Sequence, residues 1–506
     1  MHFVWERAMS DDNQGRPGLP SPRILAGLAG IFISAMMAGL NSRLGALGLV
    51  DVQGALGFSG DAASWATTSY LSGEMLITPF ASWFAITFSI RLFHRYLVGI
   101  ISLIALCLPF IHNINLFVGL RFIQGVASGA LVPLLMMMAL KALPVNIRLH
   151  GLALYAMTAT FSPNIAVWLS GQISDGVHAW QWTYWHTIPL CFLAFALVSW
   201  GAPKESVKVG RFAQANWLGM GAGMLSLGLL TVALSQGERL DWFNSSLISL
   251  CVINGVVFLA MFLWLEWHHP SPFIDLRLLS RRNLGLGSIV FVLLLVVLMT
   301  ATTLPMNFLS AVQDYRVYQA APLALIIGVP QLVLGSLVAL ALYKKWIDAR
   351  KVFAVGLLLI AAACFVAANV DTAWHRDQFY FAQILQMAGQ PMAVVSMLFL
   401  MTSVVQPHEG PYFSGIINTL RVIGTLVGST IVARLMTVRG QFHGEALRGH
   451  AAMVPVQSTE NLSELIATES IALSVADIYV LAGICALLMT VVVLRMAYIP
   501  APSTTN

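Results

Sequence analysis

Residues 284–308 read LGLGSIVFVLLLVVLMTATTLPMNF, a stretch without a single charged side chain. A helix needs about 20 predominantly apolar residues to cross the hydrocarbon core of a bilayer. This stretch is therefore predicted to cross a membrane as an α-helix. Similar stretches recur along the chain, in which hydrophobic residues make up 58% of the 506 positions and charged residues only 10%, against about 25% charged residues in an ordinary soluble domain.

The recurring apolar stretches predict an all-α integral membrane protein with about 14 transmembrane helices. Charged residues fall almost entirely in the gaps between these stretches. The predicted spans are 24–49, 62–88, 96–112, 115–140, 151–173, 186–200, 215–235, 247–266, 284–308, 320–342, 352–370, 378–404, 412–433 and 475–496.

The basic residues predict which side of the membrane each gap occupies. Most of the 27 Lys and Arg residues lie in gaps on one side, and short basic loops are retained in the cytoplasm. Because the number of spans is even, both termini are expected to be cytoplasmic. This topology accounts for the formal net charge of +5 without a nucleic-acid partner.

A faint internal repeat predicts how the spans are grouped. The segment LRFIQGVASGALVPL at 120–134 is similar to AQILQMAGQPMAVVS at 382–396, and many secondary transporters consist of repeated helix bundles. The predicted organisation is a cytoplasmic tail (1–23), an N-terminal six-helix bundle (24–200), an inserted helix pair (215–267), a C-terminal six-helix bundle (284–496) with an outer loop at about 434–474, and a second cytoplasmic tail (497–506).

Five motifs resemble the major facilitator superfamily, and specifically its fourteen-helix EmrB/QacA-type drug:proton antiporters. They are SWATTSYLSGEMLITP (64–79), LRFIQG (120–125), WQWTYWHTIP (180–189), LSQGERLDWFNS (234–245) and NTLRVIGTLVGS (418–429). The resemblance implies a proton-coupled secondary transporter of the bacterial inner membrane that exports amphipathic small molecules. It implies no cofactor, and it leaves open whether a periplasmic adaptor and an outer-membrane channel take part.

Two motifs of this family are only partly kept. The gating loop after the second helix is SWFAITFSIR (82–91), in which Arg91 is the recognisable basic residue. The proline- and glycine-rich motif of the fifth helix is SPNIAVWLSG (162–171), which keeps Pro163 and Gly171. The resemblance makes these three residues candidates for gating or close helix packing.

The proton-carrying residue is expected to be Glu74, the acid that lies deepest within a predicted span. Ionisable groups inside a membrane are costly and therefore usually functional. The family's acid in the first helix is replaced by Asn41, so Glu74 is predicted to take its role, with Arg121 as charge partner and Arg43 nearby. The alternative is a static Glu74–Arg43 pair that only holds two helices together. Two arginines beside one acid would favour an anionic, carboxylate-bearing substrate.

Polar residues within the spans are candidates for the substrate cavity. For the neutral ones, hydrogen bonding between helices is the commoner role, and for Arg421 the alternative is a side chain that extends to the nearer membrane surface. The candidates are Asn41, Gln124, Gln383, Gln386 and Arg421.

Other functional classes find little support in the sequence. It contains no G-x-x-x-x-G-K-[ST] motif, which argues against primary active transport. Its five cysteines lie in separate apolar spans and its histidines in loops, tails or span ends, so neither a metal site nor an enzyme is expected. A non-transporting sensor or scaffold built on a transporter fold remains the alternative to transport.

Overall fold

A computed structural model describes residues 21–451 and 462–501, and every regular element in these ranges is helical. The predicted tail up to residue 20, the middle of the predicted outer loop (452–461) and the last five residues (502–506) lie outside the described residues. The α-helices are α1 (Pro22–Leu47), α2 (Leu49–Leu56), α3 (Gly60–Ile77), α4 (Ala81–Phe88), α5 (Ile90–Cys107), α6 (Ile114–Gly129), α7 (Leu131–Ala142), α8 (Val145–Thr160), α9 (Ser162–Gly171), α10 (Trp182–Trp185), α11 (Thr187–Gly201), α12 (Trp217–Gln236), α13 (Ser246–His268), α14 (Arg282–Leu298), α15 (Thr303–Val312), α16 (Val317–Leu342), α17 (Ala349–Ala367), α18 (Tyr380–Thr402), α19 (Gly410–Ala451) and α20 (Leu462–Leu494).

The helices are long and apolar enough for a multi-pass membrane protein. In the described ranges, 12 helical segments could each cross a membrane, and the bent pair formed by Ile147–Thr160 and Ser162–Gly176 raises the number to 13. The remaining predicted span, 62–88, is divided into α3 and α4. Pro79 lies at this break, where its missing backbone N–H removes a helical hydrogen bond.

Three groups of helices build the molecule. In the N-terminal bundle (α1–α11), α3 packs along α6 and α1 along α11; in the C-terminal bundle (α14–α20), α17 packs along both α18 and α20. The insert pair, α12 and α13, forms a hairpin of which α12 lies against α3 and α19. We call the face at which α1 begins and α20 ends the terminal face, and the other side the opposite face.

The crossing of α3 and α6 depends on glycine. A Cβ atom on Gly125 would lie 2.8 Å from the carbonyl carbon of Tyr70, and one on Gly129 would lie 2.7 Å from the Cα atom of Glu74. Small residues allow helix backbones to approach this closely, which is how membrane helices gain packing energy. This crossing fixes the position of Glu74 relative to α6.

Part of the predicted outer loop at 434–474 is helical. The helix α19 continues to Ala451 and α20 begins at Leu462, so both helices extend beyond the apolar spans predicted at 412–433 and 475–496. The Arg439 guanidinium lies 2.5 Å from the Asp477 carboxylate, which also contacts His443 at 2.7 Å. Hydropathy locates only the membrane-embedded part of a helix, and polar pairs of this kind support the extension.

Candidate functional site

A cavity of about 420 Å³ lies between the two bundles and the insert helix α12. Apolar and polar side chains share its wall, and the charged groups are concentrated on α1, α3 and α19 and at the end of α12. Its lining includes Ser42, Arg43, Leu71, Glu74, Pro163, Asn164, Thr231, Leu234, Glu238, Leu295, Gln390, Arg421 and Thr430.

The carboxylate of Glu74 faces the C-terminal bundle. One carboxylate oxygen lies 3.8 Å from the Arg421 guanidinium, and the other accepts a hydrogen bond of 3.4 Å from the Ser42 hydroxyl. The side chains of Glu74 and Arg421 are both 11% exposed, so the ion pair lies inside the cavity. Glu74 is on α3 and Arg421 on α19, and the pair therefore joins the two bundles.

The arginine expected beside Glu74 was Arg121, but the arginine that lies beside it is Arg421. In the described residues its ion-pair contact is with Arg421, whereas Arg121 donates a hydrogen bond of 2.7 Å to Gln124. The Arg121 guanidinium also lies over the rings of Tyr70 at 4.3 Å and Tyr184 at 5.4 Å. Arg121 thus occupies an aromatic pocket within the N-terminal bundle and forms no ion pair with Glu74 in the described residues, although it is close enough to act on Glu74 electrostatically. Depth in the membrane does not determine which way a side chain faces.

Arg43 lines the cavity without a direct partner. Among the described residues it has no ion pair within 4 Å and no hydrogen bond, although Glu74 and Arg421 are close enough to act on it electrostatically. The alternative arrangement, a static Glu74–Arg43 ion pair, is therefore not formed among the described residues. The inner part of the cavity holds two guanidinium groups beside one carboxylate.

A second carboxylate, Glu238, lies at the end of the cavity on the opposite face, just beyond α12. Partial burial raises the pKa of this carboxyl, but hydrogen bonds from Thr437 and Trp242 and the nearby Arg434 charge hold it below its ordinary value. The Trp242 indole donates at 2.8 Å, and the Arg434 guanidinium lies at 3.7 Å. The Glu238 carboxylate thus forms an ion pair with Arg434 at this end of the cavity.

The neutral residues predicted to line the cavity instead form hydrogen bonds inside the bundles. In the C-terminal bundle, Gln383 donates to the Ala301 carbonyl at 2.7 Å and Gln386 to the Thr300 hydroxyl at 3.3 Å. In the N-terminal bundle, Asn41 donates to the Tyr70 hydroxyl at 3.4 Å. None of these three side chains, nor Gln124, is part of the cavity lining. Asn41, Gln383 and Gln386 instead bond to other segments of their bundles, as interhelical amides commonly do. Gln124 accepts its bond from Arg121 within α6.

The three gating or packing candidates have separate positions. The Arg91 guanidinium donates to the Ser199 carbonyl and so ties α5 to α11. Pro163 lines the cavity. A Cβ atom on Gly171 would lie 2.7 Å from the Cα atom of Tyr318, so this glycine allows α9 and α16 to meet between the bundles.

Several cavity residues were not singled out from the sequence. Gln390 and Thr430 lie in the C-terminal bundle, and Thr231, Leu234 and Glu238 lie on or next to α12. Gln390 lies one helical turn after Gln386, and this spacing could have pointed to it. The α12 residues carried no such signal, because an inserted helix has no counterpart in the repeat.

No group of three or more His, Cys, Asp or Glu side chains in residues 21–451 and 462–501 is arranged to hold a metal ion. The ionisable groups of the cavity can exchange protons and form ion pairs. Both are operations that a transporter needs.

The family profile of the Major Facilitator Superfamily matches residues 31–429. This chain belongs to the Major Facilitator Superfamily. Membership fits the two helix bundles that enclose a cavity between them.

Curated relatives within the superfamily include bacterial export proteins. The chain is 25% identical over 428 residues to the multidrug export protein EmrB of Haemophilus influenzae, covering 83% of this chain and 81% of that protein. It is also 25% identical over 419 residues to the fatty acid resistance protein FarB of Neisseria gonorrhoeae (83% and 82% coverage). A probable multidrug resistance protein of Escherichia coli, EmrY, is 25% identical over 487 residues (91% and 93% coverage).

Solved superfamily structures share the fold at low sequence identity. The human organic anion transporter MFSD10 superposes with a TM-score of 0.59 at 12% identity, covering 94% of this chain and 100% of that one. The proton:xylose symporter XylE superposes with a TM-score of 0.56 at 14% identity, covering 96% and 98%. These similarities establish the transporter fold of this Major Facilitator Superfamily member.

Proposed function

We propose that this protein is a proton-coupled exporter of amphipathic small molecules in a bacterial inner membrane, with the terminal face in the cytoplasm. The observation that carries the proposal is the Glu74–Arg421 pair, a titratable group that bridges the two bundles inside the cavity. The similarity to the multidrug export protein EmrB supports the direction of transport. A cavity with a titratable ion pair has no evident use in a static scaffold, so transport is favoured over a non-transporting sensor or scaffold.

Proton coupling follows from the two ways in which a buried carboxylate can be stabilised. In a medium of low dielectric constant, an ionised carboxylate needs a cation beside it, or it takes up a proton. Arg421 supplies the cation here. Protonation of Glu74 would end the attraction between α3 and α19, so that the bundles could move apart and the cavity could change the side to which it opens.

The charge of the inner cavity favours a substrate that carries a carboxylate. When Glu74 is protonated, Arg43 and Arg421 are left without an acid beside them, and an anionic group would be attracted to them. Leu71, Leu234 and Leu295 offer apolar wall for the rest of the molecule. FarB is named for fatty acid resistance, and a fatty acid has this combination of carboxylate and chain.

Transport in proteoliposomes under an imposed pH gradient tests the function. We expect the reconstituted protein to move a medium-chain fatty acid against its gradient, and Glu74→Gln to abolish proton-driven transport while binding remains. The control is Glu266→Gln on α13, a buried acid bonded to Asn216 at 2.9 Å and outside the cavity lining. Proton-driven transport at the wild-type rate by the Glu74→Gln protein would refute the role of Glu74.

The same assay tests the substrate class and the need for partners. A cationic dye should be transported poorly compared with the fatty acid, and equal transport of both would remove the proposed preference for carboxylates. Transport by liposomes that contain this chain alone would show that a periplasmic adaptor and an outer-membrane channel are not needed for movement across the inner membrane.

A further inference from the structure

The two helices of the insert pair have different surroundings. Within α13, Leu250, Ile253 and Val257 are 59%, 60% and 59% exposed, as expected of side chains that face lipid. No described α13 residue lines the cavity, whereas Thr231, Leu234 and Ser235 of α12 do. The insert pair therefore has one helix toward the lipid and one helix toward the cavity.

The cavity-facing residues of α12 form one stripe. Thr231 and Leu234 of α12 line the cavity. Leu227 lies one turn earlier on the same helix face, and the lining residue Glu238 follows just beyond the helix end, with spacings of four, three and four residues between successive members. Leu227 packs with Met75 and Val422, the sequence neighbours of Glu74 and Arg421. The stripe thus runs from the level of the ion pair to the cavity end on the opposite face, over roughly 17 Å at 1.5 Å per residue.

Hydrogen bonds hold α12 between the two bundles. On the N-terminal side, Thr68 lies 2.9 Å from the Ser235 hydroxyl and accepts from Gln236 at 2.5 Å. On the C-terminal side, the Thr430 hydroxyl donates to the Leu234 carbonyl at 3.0 Å. The helix therefore closes the gap between α3 and α19, through which lipid would otherwise reach the cavity.

We propose that α12 is a wall of the substrate site and that Leu234 is a specificity-determining residue. Leu234 is the large apolar side chain that the insert pair contributes to the cavity lining in the described residues, so it would contact the apolar part of a substrate held at Arg43 and Arg421. Its peptide carbonyl, rather than its side chain, makes the bond to Thr430. The side chain can thus be changed without removing that bond. The inference rests on the proposed function in that it takes this cavity as the site of transport.

Cysteine labelling tests the wall. In a background that lacks the five native cysteines, Leu234→Cys should react with a water-soluble thiosulfonate, and a transported medium-chain fatty acid should slow the reaction several-fold. The matched control is Leu225→Cys on the same helix, since Leu225 is 53% exposed and lies outside the lining; it should remain unreactive toward this reagent. An unreactive Leu234→Cys protein, or a reaction rate unaffected by the fatty acid, would overturn the proposal.

Transport selectivity gives the second readout. Leu234→Phe should reduce transport of a fatty acid with a bulky ring several-fold more than transport of a slim saturated one, whereas Leu225→Phe should leave the ratio unchanged. Unaltered selectivity in the Leu234→Phe protein would contradict the assignment. Failure of the proposed function would instead appear as transport that is independent of Glu74, so the two failures can be told apart.

Discussion

Arg121 and Arg421 are both intramembrane arginines, but their surroundings give them different roles. Arg121 is 1% exposed, bonded to Gln124 and covered by the rings of Tyr70 and Tyr184. Arg421 lines the cavity and faces Glu74 across 3.8 Å. A planar guanidinium can both stack on rings and donate in its plane, which a lysine ammonium cannot reproduce. Arg121 is thus expected to stabilise the fold and Arg421 to act in transport.

Replacement of each arginine by lysine separates these roles. Arg121→Lys should lower the free energy of unfolding by about 2 kcal/mol, because it loses the stacked, hydrogen-bonded guanidinium. Arg421→Lys keeps a positive charge beside Glu74 and should therefore change stability less, but it should impair proton-driven transport, because a lysine ammonium does not reproduce the geometry of the guanidinium in the pair. Thermal unfolding in detergent and proteoliposome transport measure the two effects. Equal loss of stability in both variants would contradict this assignment.

The sequence locates a buried charge along its helix, but it does not show which neighbour that charge faces. Glu74 was found because an acid within an apolar span is costly wherever it points. Which arginine faces Glu74 depends on the rotation of the helices, and neither the charge of a residue nor its depth in the membrane determines that rotation. A sequence gives the position of a residue along its helix, and only packing gives the direction in which its side chain points.

At the level of helices, apolar length predicted the spans well and their ends poorly. The span predicted at 412–433 belongs to a helix that runs from Gly410 to Ala451. Beyond its predicted span, this helix is supported by polar contacts with α20 such as Arg439–Asp477, which hydropathy does not detect. The sequence also did not predict that α12 lines the cavity, because its apolar composition suits a lipid-facing helix equally well.

The glycine crossing of α3 and α6 yields a prediction at this scale. Gly125→Ala would place a methyl group 2.8 Å from the Tyr70 carbonyl carbon, and separating the helices to relieve this clash should cost about 1–3 kcal/mol. Gly119→Ala on the same helix is the control, since a Cβ atom there meets nothing within 4 Å. Thermal unfolding should show a lower midpoint for Gly125→Ala alone, and equal midpoints would argue against a tight crossing.

At the level of the whole molecule, contacts between the bundles set the state of the cavity. Three hydrogen bonds join the bundles in the half nearer the terminal face. The Tyr155 hydroxyl donates to Asn418 at 3.0 Å, and the Ser414 hydroxyl donates to the Pro133 carbonyl at 2.8 Å. The Leu149 amide donates to the Tyr343 hydroxyl at 3.0 Å. These bonds close that half. The cavity instead extends from the ion pair toward Glu238 at the opposite face. The sequence predicted two bundles but no contact between them, since such contacts join helices far apart in the chain.

The bond between Tyr155 and Asn418 gives a test of this closure. Tyr155→Phe removes one hydrogen bond between the bundles, worth about 1 kcal/mol, and should raise the population open at the terminal face about fivefold. A cysteine introduced at Thr158, which lines the cavity, should then react correspondingly faster with a water-soluble thiol reagent applied from the terminal face. The matched control is Tyr479→Phe, which removes a 3.3 Å bond to the Thr300 carbonyl within the C-terminal bundle. Because that bond does not join the bundles, it should not affect the reaction, and equal acceleration in both variants would mean that general loosening, rather than release of this contact, opens the cavity.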